Sequence, residues 1–305
     1  MTENSKKSKF PKRPLLLTTS ICASLVAALT GCTTTRTADG LDSSLADHSH
    51  AYKIAHTMGI LDVKDQQAPQ GQAITASFPI GDLMASTLIH KGAALGLPSS
   101  TFGSFGLEVG LSVGSWLFAP DPEEAVTQAM MFEPVDKFKT GTEAALHAGG
   151  ELHKKLVEAT RKAGFDPLLI DRYTVWPNTW MARTAWTVKI ENEKMGCPKT
   201  DDYKRSCYVQ IWIDDKYFPG EPKHLPQFFV KDELRDRWVT NRYKIEFTVP
   251  DGVKTDAFSS KVLGNLAIDL PKESYLYVAP IKEGDKWTAP YVSDGKNIHF
   301  FVVQK

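Results

Sequence analysis

The chain has 305 residues, and its 36 lysines and arginines balance its 36 aspartates and glutamates, so the formal net charge is zero. This balance argues against a strongly basic nucleic-acid-binding protein and against an acidic disordered chain. Apolar residues make up 42% of the sequence, enough for a substantial hydrophobic core. The composition therefore predicts a folded protein with one large domain or two modest ones.

The first 31 residues have the layout of an export signal. Residues 1–14 carry five basic side chains against the single Glu3, and the apolar stretch 15–28 follows them. This stretch is shorter than the about 20 residues that a membrane-spanning helix needs. The residues that come next, Leu29-Thr30-Gly31-Cys32, resemble the lipobox of bacterial lipoproteins.

The resemblance to bacterial lipoproteins implies a lipid anchor and says nothing about the fold of the remaining chain. In that family the signal is cleaved before the cysteine, here Cys32, whose thiol takes a diacylglycerol and whose amine takes an acyl group such as palmitate. Thr33 stands where an aspartate would retain the protein at the inner membrane, so the resemblance implies the outer membrane, facing the periplasm. Two or three acyl chains hold a protein stably on a bilayer. The alternatives are an ordinary cleaved signal and an uncleaved anchor.

Residues 32–50 are expected to form a lipidated tether, because residues 33–50 are small and polar and cannot drive packing. The segment contains His48 and His50 beside Asp47, and imidazole and carboxylate groups are good ligands for zinc or copper. No further ligand stands at a familiar metal-site spacing. We therefore expect no metal and no cofactor.

Two of the four cysteines are expected to remain for the folded body, because Cys22 leaves with the signal and Cys32 is lipidated. Cys197 and Cys207 lie in a polar segment between two strand-like runs, and an oxidising compartment predicts a disulfide between them. Such a short closed loop stabilises by about 3 kcal/mol in the chain-entropy model. Their spacing is not that of a C-x-x-C redox pair, so we expect a structural bond.

The segment 81–118 holds seven glycines, and Glu108 is the only charged residue between Gly92 and Ala119. Gly106, Gly110 and Gly114 are spaced by four, so in a helix they form a smooth stripe suited to close packing inside the protein or between copies. The alternative is a membrane-active or oligomerising segment at 92–118. Neither half of it offers the about 20 apolar residues of a spanning helix.

Three helices are predicted in a helical and Gly-rich region at 51–164. A short one lies within 51–66. Asp121-Pro122-Glu123-Glu124 has the pattern of a capped helix start and predicts a helix that runs to Phe132. A third helix is predicted over 142–163, with Gly164 as its C-terminal cap.

From residue 165 to 305 the sequence predicts strands. Apolar and polar side chains alternate over Trp180–Ile190, and Cys207–Ile213 is its expected hairpin partner. Further strands are predicted at 243–249, 276–278, 287–292 and 298–303, the last two flanking the turn residues Asp294-Gly295. We expect an α+β fold, with an antiparallel sheet of about five to eight strands or a sandwich, and with the helices of 121–163 packed on it in one domain.

No catalytic signature is present in the sequence, which contains no G-x-S-x-G, no H-E-x-x-H, no P-loop and no dinucleotide fingerprint. We therefore assign no catalytic residue and expect a protein that is not an enzyme. Isolated polar side chains are expected in solvated or edge positions; these are His147, His153, Asp214, Asp215, His224 and His299.

Four aromatic residues beside prolines, Trp176, Trp180, Tyr217 and Phe218, are candidate partner contacts, and their alternative role is to cap the core. The leading hypothesis is an outer-membrane lipoprotein that serves as a periplasmic binding or scaffold subunit of an envelope assembly, with a protein partner or a second copy. The alternatives are an envelope hydrolase acting on peptidoglycan or lipid, and the membrane-active protein above. Removing residues 1–31 leaves 31 basic against 35 acidic residues, so we expect no nucleic-acid partner.

Overall fold

The structure, a computed structural model, describes residues 45–67, 77–79, 126–175, 177, 179, 181–224, 236–253, 256–283, 286–287 and 290–303. All of them belong to one compact unit, Arg36–Lys305. The described helices are α1 (His50–Thr57), α2 (Gly141–Lys162) and α3 (Asp256–Ile268). None of them is both long and apolar enough to cross a membrane.

The strands in the described residues are, in chain order, β1 (Gln66–Gln67), β2 (Ser77–Pro79), β3 (Thr127–Pro134), β4 (Asp166–Val175), β5 (Arg183–Glu191), β6 (Cys207–Asp214), β7 (Lys223–His224), β8 (Asp236–Thr248), β9 (Ser274–Val278), β10 (Lys282–Glu283), β11 (Lys286–Trp287), β12 (Tyr291–Ser293), β13 (Asn297–Phe300) and β14 (Val302–Val303).

Ten strands form one large antiparallel sheet. Its order is β2-β13-β12-β9-β3-β8-β6-β5-β4, and β7 pairs with β8 beside this path. Two small ladders complete the pairing: β1 with β14 in parallel, and β10 with β11 antiparallel. The α+β class with a large antiparallel sheet is confirmed. The sheet is wider than the five to eight strands expected from the sequence.

One face of the sheet is covered by α2 and α3, which also pack against each other. The phenol of Tyr243 on β8 donates a hydrogen bond to the carbonyl of Ala145 on α2. The hydroxyl of Ser293 on β12 donates to the carbonyl of Ala267 on α3 at 2.6 Å. The main core lies between these helices and the sheet, and burial of its apolar side chains is the chief source of stability.

On the opposite face, the described residues place an α-helix over one half of the sheet only. Residues directly opposite on neighbouring strands point to the same face, so the strand register defines a row across nine strands. The row runs Ser77, His299, Val292, Tyr277, Gln128, Lys244, Trp212, Ala185, Tyr173. Helix α1 contacts β12 and β13, where His50 lies against His299 in this row. Over β8, β6, β5 and β4 the described residues place no α-helix on this face.

The helix predicted to run to Phe132 is wrong for its C-terminal part, because Thr127–Pro134 forms β3. This strand lies between β8 and β9, and six of its eight residues are buried. Pairing on both edges therefore outweighs the local signal of a capped helix start. The helix predicted over 142–163 is confirmed as α2, with Thr140 as N-cap accepting from the Glu143 N–H at 3.2 Å.

Helix α3 is not among the helices that the sequence predicts. Its buried residues Phe258, Val262 and Leu266 recur every four positions and face α2 and the sheet. This spacing is a helical signal, but the segment follows the turn Pro250-Asp251-Gly252 in a region of strand-like sequence. Strand β4 forms one edge of the sheet and has ten residues. The sequence predicts strands after residue 165 but does not assign this one individually.

Candidate functional site

The half of the sheet face opposite α2 and α3 that is formed by β8, β6, β5 and β4 carries a group of cations stacked on an indole ring. The guanidinium carbon of Arg183, on β5, lies 3.6 Å from the ring centroid of Trp212 on β6. The ammonium of Lys244, on β8, lies 4.4 Å from the same ring. The three side chains come from three neighbouring strands and share one face of the sheet. Cation–π contacts of this kind stabilise by about 0.5–2 kcal/mol each.

A second ring with two cations follows in the turn after β6. The guanidinium of Arg242 lies 4.4 Å from the ring centroid of Tyr217, and its Nη1 donates to the Tyr217 hydroxyl at 2.8 Å. The ammonium of Lys216 lies 5.1 Å from the same ring. Arg242 adopts φ +70° where β8 bulges against β3, and its guanidinium lies against Gly59, just after α1. We refer to Arg183, Trp212, Lys216, Tyr217, Arg242 and Lys244 as the cation–aromatic cluster.

Two carboxylates, Asp214 and Asp215, lie beside the cluster, and neither is simply solvated as the sequence suggests. Asp214 accepts from Arg183 Nε at 3.2 Å, and Asp215 accepts from the Thr184 hydroxyl at 2.9 Å. Both are half-buried. The cluster is not predictable from the alternation pattern, because its members lie on three strands, β5, β6 and β8, and on the turn after β6, and the pattern does not show how these strands pair.

Of the four aromatic candidates for partner contact, the structure describes two in full. Tyr217 and Phe218 are half-buried and pack against the hydrophobic core, while Tyr217 also presents its ring to the two cations. Trp176 and Trp180 lie outside the described residues, as do Cys32 and the glycines Gly106, Gly110 and Gly114.

The predicted disulfide between Cys197 and Cys207 is confirmed. The two Cα atoms lie 5.4 Å apart and the sulfurs are bonded. The bond closes the end of the β5–β6 hairpin, where Ile190 pairs with Cys207 and Asn192 with Cys197. Both cysteines are buried, which fits a structural role.

The histidines at the end of the expected tether belong to the folded body. Ser49 caps α1, and both Ser49 and His48 bond to Asp65, with His48 Nδ1 2.9 Å from Asp65 Oδ2. The ring of His50 lies edge-on to the ring of His299 at 4.6 Å. Within the described part of the chain, no group of three or more His, Cys, Asp or Glu side chains is arranged to hold a metal ion.

A second polar group lies under α1 and joins residues that are far apart in sequence. Ser77 Oγ is 2.7 Å from His299 Nδ1, and His299 Nε2 is 3.3 Å from Asp294 Oδ2. With its proton on Nε2, this imidazole donates to Asp294 and accepts from Ser77. A serine, a histidine and a carboxylate in this order can activate the serine oxygen as a nucleophile. We refer to these three residues as the Ser–His–Asp group.

Asp294 is held ionised by its surroundings. Burial alone would raise the pKa of this carboxyl, but hydrogen bonds from the His299 and Asn297 side chains and from the backbone N–H groups of Asn297 and Lys296 lower the pKa well below its ordinary value. The same bonds close the β12–β13 turn at Asp294-Gly295. The carboxylate therefore both orients His299 and stabilises the turn.

Two of the histidine predictions are wrong. His299 is only 6% exposed because β2 and α1 enclose it, although its strand position suggested an edge. His153 is buried between α2 and β5 and bonds to the carbonyl of Thr187 at 3.1 Å. His147 is half-exposed, with Nδ1 2.8 Å from Glu133 on β3. Sequence periodicity alone could not place Ser77 beside His299, because 222 positions separate them.

Comparison of the chain with protein-family models, with curated proteins and with solved structures finds no match.

Proposed function

We propose that this protein is an outer-membrane lipoprotein whose folded body serves as a periplasmic binding or scaffold subunit of a cell-envelope assembly. The observation that carries the proposal is the export signal that ends in Leu29-Thr30-Gly31-Cys32. The disulfide between Cys197 and Cys207 supports it, because disulfides persist in oxidising compartments such as the periplasm. The cation–aromatic cluster, over which the described residues place no α-helix, supports a binding role.

The lipid anchor is tested by labelling cells with radioactive palmitate, and two cysteine variants serve as a matched pair. Cys32→Ser removes the thiol that would take the lipid, so the protein loses the label. Cys22→Ser alters a cysteine inside the apolar stretch of the signal and leaves the labelling unchanged. Equal labelling of the two variants would reject the anchor at Cys32.

The role as a subunit is tested by the size of the native protein after extraction in mild detergent. We expect the wild-type protein to migrate as a complex well above the mass of one chain, which is 33.8 kDa before the signal is cleaved. A monomer at all detergent concentrations that preserve known envelope complexes would argue against a scaffold subunit.

A second candidate function, an envelope hydrolase acting on peptidoglycan or lipid, is favoured by the Ser–His–Asp group. In this function Ser77 would attack an ester or amide carbonyl while His299 takes its proton. A serine-directed fluorophosphonate would then label the wild-type protein and not the Ser77→Ala variant. Ser206→Ala is the control, because the Ser206 hydroxyl bonds to backbone carbonyls. A wild-type protein that takes no label would remove this candidate.

A further inference from the structure

We propose that the cation–aromatic cluster is a docking site for an acidic polypeptide segment of the partner. This inference rests on the proposed binding function and names the chemistry that the partner presents. The cluster collects four cations around two rings, and its neighbouring carboxylates are Asp214 and Asp215. The positive charge is local, because without residues 1–31 the chain carries 31 basic against 35 acidic residues.

Most hydrogen-bond donors of the cluster have no acceptor among the described residues. Arg183 bonds to Asp214 through its Nε, and no described carboxylate lies within ion-pairing distance of Lys216, Arg242 or Lys244. Glu246 stands two residues along β8 from Lys244 and forms no ion pair with it. Trp212 is 7% exposed, and its buried indole N–H has no acceptor among the described residues. A group rich in donors and poor in acceptors is complementary to carboxylates.

The surface beside the cluster indicates a polypeptide rather than a simple anion. Tyr173 stands in the same row as Trp212 with Ala185 between them, which places it about 10 Å away at the usual strand spacing. Tyr173 is 41% exposed, and Leu168, also on β4, is 46% exposed on the same side of the sheet. An acidic segment with apolar side chains can contact the cations and this apolar edge together, which phosphate ions cannot do.

The binding test uses the mature lipidated protein, which begins at Cys32, in detergent and a short fluorescein-labelled peptide of alternating glutamate and leucine. Replacing Arg183→Gln and Lys244→Gln together should weaken binding at least about tenfold, because two charge-assisted contacts are lost. The control pair, Lys154→Gln with Lys199→Gln, removes the same charge from exposed positions away from the cluster and should change binding less than about twofold. Lys216→Gln, at an exposed position, should weaken binding without disturbing the fold.

Three results would overturn the inference: equal binding by the cluster variant and the control pair, equal binding of a glutamine–leucine peptide, and full competition by inorganic phosphate at matched charge. In cells, a cluster variant that keeps its anchor but loses the crosslinked partner supports the inference. A variant that keeps the wild-type partner contradicts the inference alone, whereas a wild-type protein without any partner contradicts the proposed function.

Discussion

Gly149 on α2 lies against the indole ring of Trp186 on β5, so close that a Cβ at position 149 would stand 2.3 Å from a ring carbon. The next residue, Gly150, has open space where its Cβ would be. Two adjacent glycines in one helix therefore have opposite roles. The first sets the distance between α2 and the sheet, and the second only weakens the helix.

Gly149→Ala should lower the free energy of unfolding by about 2 kcal/mol or more, because the indole must shift within a packed core. Gly150→Ala should raise it by about 0.5–1 kcal/mol through helix propensity alone. Urea unfolding of both variants measures the two changes. If both variants were stabilised equally, the close packing of α2 on β5 would be wrong.

Removing the disulfide with Cys197→Ala and Cys207→Ala should lower the free energy of unfolding by about 3 kcal/mol, since the unfolded chain gains the entropy of an open loop. The bond closes only the tip of a hairpin, so the folded sheet should persist. Urea unfolding of the oxidised wild-type protein and the double variant measures the loss. The variant should be insensitive to reductant; a further loss of its stability on reduction would contradict the assignment.

Asp269, just after α3, joins the two helices through Lys155 and Lys162 of α2, at 3.0 and 2.9 Å. Burial raises the pKa of Asp269, but the hydrogen bonds and charges of the two lysines outweigh this effect and lower it. A carboxyl with a lowered pKa in the folded state stabilises the protein above its unfolded pKa of about 3.9, and this contribution is lost as the pH falls below that value.

Asp269→Asn should therefore lower the free energy of unfolding by about 0.5–1 kcal/mol at pH 7, as is usual for partly exposed ion pairs. The difference from the wild-type protein should shrink below about pH 4 and in high salt. Glu151, paired with the 70% exposed Lys154, provides a control, and Glu151→Gln should have a smaller effect. A difference that stays constant from pH 7 to pH 3 would be inconsistent with this ion pair.

Gly59 and Gly252 have almost the same left-handed backbone conformation, with φ of +85° and +86°. Of the two, only Gly59 lies against a side chain. A Cβ at position 59 would stand 2.7 Å from Arg242 Nη2, whereas the space at position 252 is open. Each alanine variant should lose about 1 kcal/mol from the left-handed backbone conformation. Gly59→Ala should lose more and should also weaken the binding of the acidic peptide, because it displaces Arg242.

Thermal unfolding and peptide titration of the Gly59→Ala and Gly252→Ala variants separate the two effects. Gly252→Ala should bind the peptide as the wild-type protein does. If Gly59→Ala also bound normally, Arg242 would not contribute to docking.

The sequence predicts the elements that depend on local pattern. Helix α2 has a capping threonine, regular apolar spacing and a closing glycine, and the β5–β6 hairpin has alternation and two cysteines. Elements that depend on distant pairing are not predictable in this way. The segment 127–134 follows a capping motif but becomes a strand, because two neighbouring strands bury it on both edges.

The candidate sites, like the helices and strands, are predictable only where they depend on local sequence. Tyr217 and the two cysteines of the disulfide are visible as local features of the sequence. Arg183 and Lys244 contact Trp212 only when β5, β6 and β8 pair in register. Ser77 contacts His299 only when β2 pairs with β13. One sequence carries no signal for contacts across such distances.

The most direct test of the proposed function is in-cell crosslinking followed by mass spectrometry on the wild-type protein. A binding or scaffold subunit should crosslink reproducibly to one or a few envelope proteins or to a second copy, and these crosslinks should weaken when Cys32→Ser removes the lipid anchor. A protein that crosslinks to nothing while it turns over an envelope substrate would contradict the proposal and favour the hydrolase.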